Sequence, residues 1–145
     1  MNHKLTKYEY NLENINMKRS DIEEKLYWYR AKLNFIYDGD SVTAFELDFG
    51  FGLTQITNRG DRRGIRFYGI DTPELNTDEG KKVRDYIKPF EGQTVFVRSI
   101  KDSSGKYGRY LFELWVPKLF EADSDEYFNL NKHLIEIGMA KNLSY

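Results

Sequence analysis

The sequence predicts a mainly β fold with helices, an α+β domain in which five short strands close as a Greek-key barrel, with about two packed helices and an N-terminal extension. Three observations predict it. Five segments of strand length are bounded by turn signals, three of them alternating apolar and polar residues with a period of two, two other segments carry apolar residues at helical spacing, and the first 19 residues have no clean period. The 145 residues give length for one domain, and 40% hydrophobic with 16% aromatic residues is ample for a core that folds without staples.

Residues 1–26 read as an extension: an Asn- and Lys-rich arm, then Ser20 with Glu23 as a capping-box pattern that predicts one short helix through about Leu26. The domain itself is read over residues 27–145. From Tyr27 to Tyr37 the odd positions are Tyr, Tyr, Ala, Leu, Phe and Tyr, which predicts a strand with one buried face. It runs into the hairpin signal Asp38-Gly39-Asp40, and a second strand follows from Val42 to about Phe49. Glycines at 50, 52, 60 and 64 punctuate an excursion before a third strand, Ile65 to Ile70. Thr77 to Lys88 places Val83, Tyr86 and Ile87 at helical spacing, with Gly80 weakening the first turn. Thr94 to Ile100 and Tyr110 to Val116 alternate as two further strands. A last helix, Asn129 to Ile137, sets Leu130, Leu134 and Ile137 on one face and ends at Gly138 as C-cap. Five strands with a helix after the third fit a barrel of the OB type better than a sandwich or a parallel sheet.

Composition removes several chemistries. With no cysteine there is no disulfide, zinc finger, iron–sulfur cluster or thiol nucleophile, and only His3 and His133 offer imidazoles. No apolar run reaches secretory or membrane-spanning length, so the expectation is a soluble, unexported chain, cytoplasmic or phage-associated, with no membrane partner. Oligomeric state has no signature in the sequence. The net charge is −1, yet residues 58–109 carry 12 Lys or Arg against 8 Asp or Glu, so positive charge is concentrated in the middle of the chain. Arg62 and Arg63 belong to this basic stretch and extend a possible nucleic-acid track ahead of the third strand.

Three motifs carry chemistry: Asp38-Gly39-Asp40-Ser41, then Arg66 to Glu74 (RFYGIDTPE), then Lys106-Tyr107-Gly108-Arg109. Singly they read as a hairpin turn, a strand-end ion pair and a polar turn. Pro73 disfavours the α region for Thr72, which turns its carbonyl outward beside Asp71. Asp40, Asp71 and that carbonyl form an all-oxygen set suited to a hard divalent cation, calcium or magnesium. Two arginines bracket the acidic cluster as planar forks suited to a phosphodiester, and the Glu74 carboxylate remains for water.

DGDS, R-x4-DTPE and KYGR, in that order, resemble the staphylococcal (micrococcal) nuclease or thermonuclease family, over about Tyr27 to Tyr145. The resemblance implies an OB-fold barrel and a calcium-dependent phosphodiesterase, with magnesium or manganese as possible substitutes, acting on DNA and RNA to leave 3'-phosphate ends. It implies that Asp40 and Asp71 bind the metal through carboxylates and Thr72 through its carbonyl. It further implies that Glu74 is the general base or orients water, that Arg66 and Arg109 hold the scissile phosphate, and that Lys106 and Tyr107 contact the nucleotide. The alternative class is a non-catalytic OB-type module binding nucleic acid or protein.

Two features of the sequence qualify that picture. In a regular strand Arg66 and Asp71, five residues apart, point to opposite faces, so both serve one site only if the chain bends, and Gly69 is the expected place. Relative to the family the segment between Asp40 and Asp71 is longer, in the Gly50 to Gly64 hairpin, and the segment between Glu74 and Arg109 is shorter.

Overall fold

A computed structural model describes residues 16–38, 41–58, 65–100, 110–118 and 125–143. It begins with a short helix, α1 (Arg19–Glu23). The expected capping box is not formed: Lys18 is the N-cap, no side chain caps the helix, and Ser20 lies inside the first turn. No residue of α1 is buried. Strand β1 (Trp28–Asp38) pairs antiparallel with β2 (Ser41–Gly50), and Asp38 faces Ser41 across the two-residue connection that the Asp-Gly-Asp signal predicts. Gly39 and Asp40 themselves lie outside the described residues, as do residues 121–124 of the acidic loop expected from Glu121 to Glu126.

The described residues hold nine strand segments rather than five. One additional strand, β3 (Leu53–Asn58), comes from the excursion after β2, because Leu-Thr-Gln-Ile-Thr is β-branched enough to pair back on β2 once the chain turns at Phe51. The expected third strand divides. Its first part is β4 (Ile65–Phe67) and its second is β5 (Ile70–Asp71), separated where Gly69 takes φ +76°. Helix α2 (Asp78–Ile87) follows, capped by Thr77 and closed by a 3₁₀ turn, Lys88–Phe90. Then come β6 (Thr94–Ile100), β7 (Tyr110–Pro117), β8 (Tyr127–Asn129), α3 (Leu130–Glu136) and β9 (Lys141–Asn142).

Pairing is antiparallel except between β4 and β7, and it runs β1–β2–β4–β7–β6 and back to β1, with β3 and β8 attached to β2 and β7. The small sheet β5–β9 stands apart. The core lies inside this circuit and under two helices: Leu33, Phe45, Phe67, Val95, Phe112, Leu114 and Val116 from strands, Val83, Ile87, Leu130 and Leu134 from α2 and α3. Phe112 packs edge-on against both Phe45 and Phe67, with ring centroids 4.9 and 4.6 Å apart.

Helix faces follow the expected spacing with two exceptions. Val83 and Ile87 are buried, but Tyr86 is exposed and shares a 2.8 Å hydrogen bond with Nε2 of His133. Leu130 and Leu134 are buried while Ile137 is 43% exposed, because α3 has already ended and Gly138 turns the chain at φ +78°. Alternation also fails at Glu113 in β7, which is buried on the outer face. Its carboxylate accepts from Trp115 Nε1 at 2.8 Å and from Arg98 at 3.3 Å, so the charge is paired where it is desolvated.

Candidate functional site

The turn at Tyr68-Gly69 builds the centre of the site. Because the strand is broken at Gly69, with φ +76°, Arg66 and Asp71 meet after all, and Arg66 Nη2 donates to Asp71 Oδ1 at 3.1 Å. The arginine side chain is only 21% exposed and the aspartate 55%, so a mostly buried guanidinium is aimed by a carboxylate that still faces water. Asp71 in turn sits on a two-strand platform, opposite Lys141, with Ile70 opposite Asn142 and Leu143 N–H donating to Gly69 O at 2.8 Å.

The turn is held from behind by a residue that the sequence reading did not single out. Asn131, 4% exposed on the inner side of α3, donates through Nδ2 to Tyr68 O at 2.9 Å and to Phe112 O at 3.0 Å, and accepts from Leu114 N–H at 3.0 Å. Tyr68 N–H donates to Phe112 O at 2.7 Å. One amide therefore ties α3, β7 and the Gly69 turn together with both its donors and its acceptor used. Its signal in the sequence was a polar residue beside Leu130 and Leu134 on a helix whose inner face is otherwise apolar.

Thr72, also buried, continues from Asp71, and Pro73 and the exposed Glu74 lead to the first turn of α2. The Glu74 carbonyl accepts from Thr77 Oγ1 at 2.6 Å and from Thr77 N–H at 3.0 Å, while Thr77 Oγ1 accepts from Gly80 N–H at 3.0 Å. Gly80, expected only to weaken this turn, instead lets the loop lie directly on the helix.

Strand register sets Ser41 and the start of β7 beside β4. Ser41 pairs with Arg66 on one side of β4, and on the other Tyr110 pairs with Ile65 and Leu111 with Arg66. Asp40, Lys106, Tyr107 and Arg109, and likewise Arg62 and Arg63, lie outside the described residues, but Ser41 and Tyr110 are the immediate chain neighbours of Asp40 and Arg109. The described donors near the turn, Asp71, Thr72 and Glu74, offer oxygen alone. Among the described residues no cluster of three His, Cys, Asp or Glu side chains forms. A groove of about 860 Å³ between α2 and α3 is lined by Tyr86, Phe90, Phe128 and His133 and by none of the predicted site residues. No helix among the described residues is long and apolar enough to cross a membrane.

A family model described as staphylococcal nuclease homologue matches residues 64–145, a span that contains Arg66, Asp71, Thr72, Glu74, Lys106, Tyr107 and Arg109 and starts after Asp40. A search of curated proteins found no match. With more than half of its length, and the whole Gly69 turn, inside that match, the chain belongs to the staphylococcal nuclease homologue family.

Proposed function

We propose that this protein is a metal-dependent phosphodiesterase that hydrolyses DNA and RNA and leaves 3'-phosphate ends, working from an OB-type barrel formed by the pairing circuit. The observation that carries the reading is the Arg66–Asp71 pair made by the Gly69 turn. It presents an oriented guanidinium and a water-facing carboxylate together, the two kinds of group that phosphoryl transfer and a hard cation require.

Asp40, Asp71 and the Thr72 carbonyl would hold calcium, with magnesium or manganese as substitutes, and the oxygen-only chemistry of Asp71 and Thr72 fits such an ion. A cation held by these residues would supply charge neutralisation at a phosphate oxygen. Arg66, held against rotation by Asp71, and Arg109 supply planar pairs of N–H donors for the oxygens on which charge accumulates at phosphorus. Glu74 accepts a proton from, or orients, the attacking water, and Lys106 with Tyr107 engages the nucleotide.

The test is digestion of plasmid DNA and of RNA by the purified chain with calcium, magnesium, manganese or chelator. Cleavage with cation and silence with chelator is the expected result, and Asp40→Ala or Asp71→Ala should abolish it while Asp38→Ala does less. Equal cleavage in chelator would overturn the metal reading. Nucleic-acid binding without cleavage in every cation would assign the chain to the non-catalytic class.

A further inference from the structure

We propose that Thr77 and Gly80 are positioning residues for Glu74: a hydroxyl clamp and a missing Cβ that seat the backbone of residue 74 directly on the first turn of α2. The proposal rests on the reading of Glu74 as the group that acts on water.

The clamp is made by one side chain used twice. Thr77 Oγ1 donates to Glu74 O at 2.6 Å and accepts from Gly80 N–H at 3.0 Å, and Thr77 N–H adds a second bond to the same carbonyl at 3.0 Å. As N-cap it satisfies an orphan donor of the helix, and in the same act it ties the helix to Glu74. Only Leu75 and Asn76 separate the two residues, so there is no free loop to absorb a shift.

Gly80 supplies the space. A Cβ there would stand 1.9 Å from Glu74 O, 2.6 Å from Glu74 C and 2.8 Å from Pro73 O. All three are backbone atoms and none is the far end of a flexible side chain, so helix and loop would have to part by about 1 Å, a displacement on the scale that costs about 10²-fold when it misplaces a reacting group. Gly80 sits within α2, where alanine is ordinarily the better residue, so helix propensity gives no reason for glycine. Its requirement is the close approach of the Asp71–Glu74 segment. Through Pro73 and Thr72 the same contact also steadies the backbone of Asp71.

The test uses the full chain. With a single-stranded oligonucleotide and calcium, Thr77→Val, which keeps shape but removes both hydroxyl bonds, should lower kcat on the order of 10-fold with KM unchanged, and Thr77→Ser should restore it within about twofold. Gly80→Ala should lower kcat by roughly 10 to 100-fold. On a Glu74→Gln background neither change should reduce the rate much further, since a misplaced group already lost cannot be lost twice. Losses that multiply fully on that background, an effect confined to KM, or an unchanged kcat in Thr77→Val would overturn the proposal. Should Gly80→Ala fail to fold, the Val and Ser pair at Thr77 carries the test.

A second measurement separates this proposal from the reading of Glu74. In metal-free protein, backbone ¹⁵N relaxation over residues 74–77 should show lower order in Thr77→Val and wild-type order in Thr77→Ser. If Glu74→Gln cleaves as fast as wild type, the role of Glu74 fails while the relaxation data still decide the clamp. Unchanged order in Thr77→Val refutes the clamp whatever the kinetics.

Discussion

The Tyr68-Gly69 turn and the tip of the β2–β3 hairpin both contain a residue in the left-handed region, and they are built in opposite ways. At Gly69 the turn is tied by bonds from far along the chain: Asn131 to Tyr68 O, Leu143 N–H to Gly69 O, and Tyr68 N–H to Phe112 O. At the hairpin the supporting bond is local, Asp48 Oδ1 accepting from Gly50 N–H at 2.8 Å, and the tip residue Phe51 is 98% exposed with φ +56°, an unfavourable backbone for a bulky side chain. The turn that joins Arg66 to Asp71 is over-determined by tertiary structure, whereas the one that only reverses a strand is left to local preferences.

The sharpest way to break this contrast is Asn131→Ala. It removes three hydrogen bonds, takes from the buried Leu114 N–H its Asn131 acceptor, and leaves the Tyr68 and Phe112 carbonyls with one bond fewer, Phe112 O keeping the bond from Tyr68 N–H, so stability should fall by about 2 kcal/mol or more, read from denaturant unfolding. A loss below about 1 kcal/mol would mean that water replaces the amide and that the turn does not depend on α3.

Arg66→Lys probes the product of the turn. Lysine keeps the charge and loses the fork, so cleavage should drop on the order of 10²-fold while the unfolding midpoint barely moves, because the pair is partly open to water. A near-normal rate would make Arg66 a structural partner of Asp71 alone.

Gly69→Ala should cost about 1 to 2 kcal/mol, since its φ of +76° penalises any Cβ although no atom crowds the position. It should also lower activity, by pulling Arg66 and Asp71 out of register. Stability lost without activity would show that the pair survives a relaxed turn.

The smallest effect is expected at the hairpin, and with the opposite sign. Phe51→Gly removes left-handed strain and an exposed ring, so stability should stay level or rise by up to about 1 kcal/mol, measured by thermal unfolding, with cleavage unchanged. A clear destabilisation would show that Phe51 makes contacts its exposure does not suggest.

Much of this molecule follows from short-range pattern. The period of two located β1, β6 and β7, the Asp-Gly-Asp hairpin signal placed β2 after β1, and the turn at Gly138 was legible because C-capping by glycine is local. The order of the three motifs pointed to the family, and the five-residue spacing of Arg66 and Asp71 demanded a bend that the φ of Gly69 provides. What local pattern left open depended on partners distant in sequence. Asp71 forms a strand only because Lys141 and Asn142 lie beside it, and Asn131 is polar on an inner helix face because the Tyr68 and Phe112 carbonyls end there. Glu113 is buried because Arg98 and Trp115 close over it, and Gly80 is glycine because the Glu74 loop rests against it. Periodicity is a property of neighbouring residues, so the sequence alone determined it, whereas the Ser20–Glu23 capping pattern did not form. Desolvation, close approach and the pairing of polar groups depend on what the fold brings from elsewhere, and only the tertiary structure decided those.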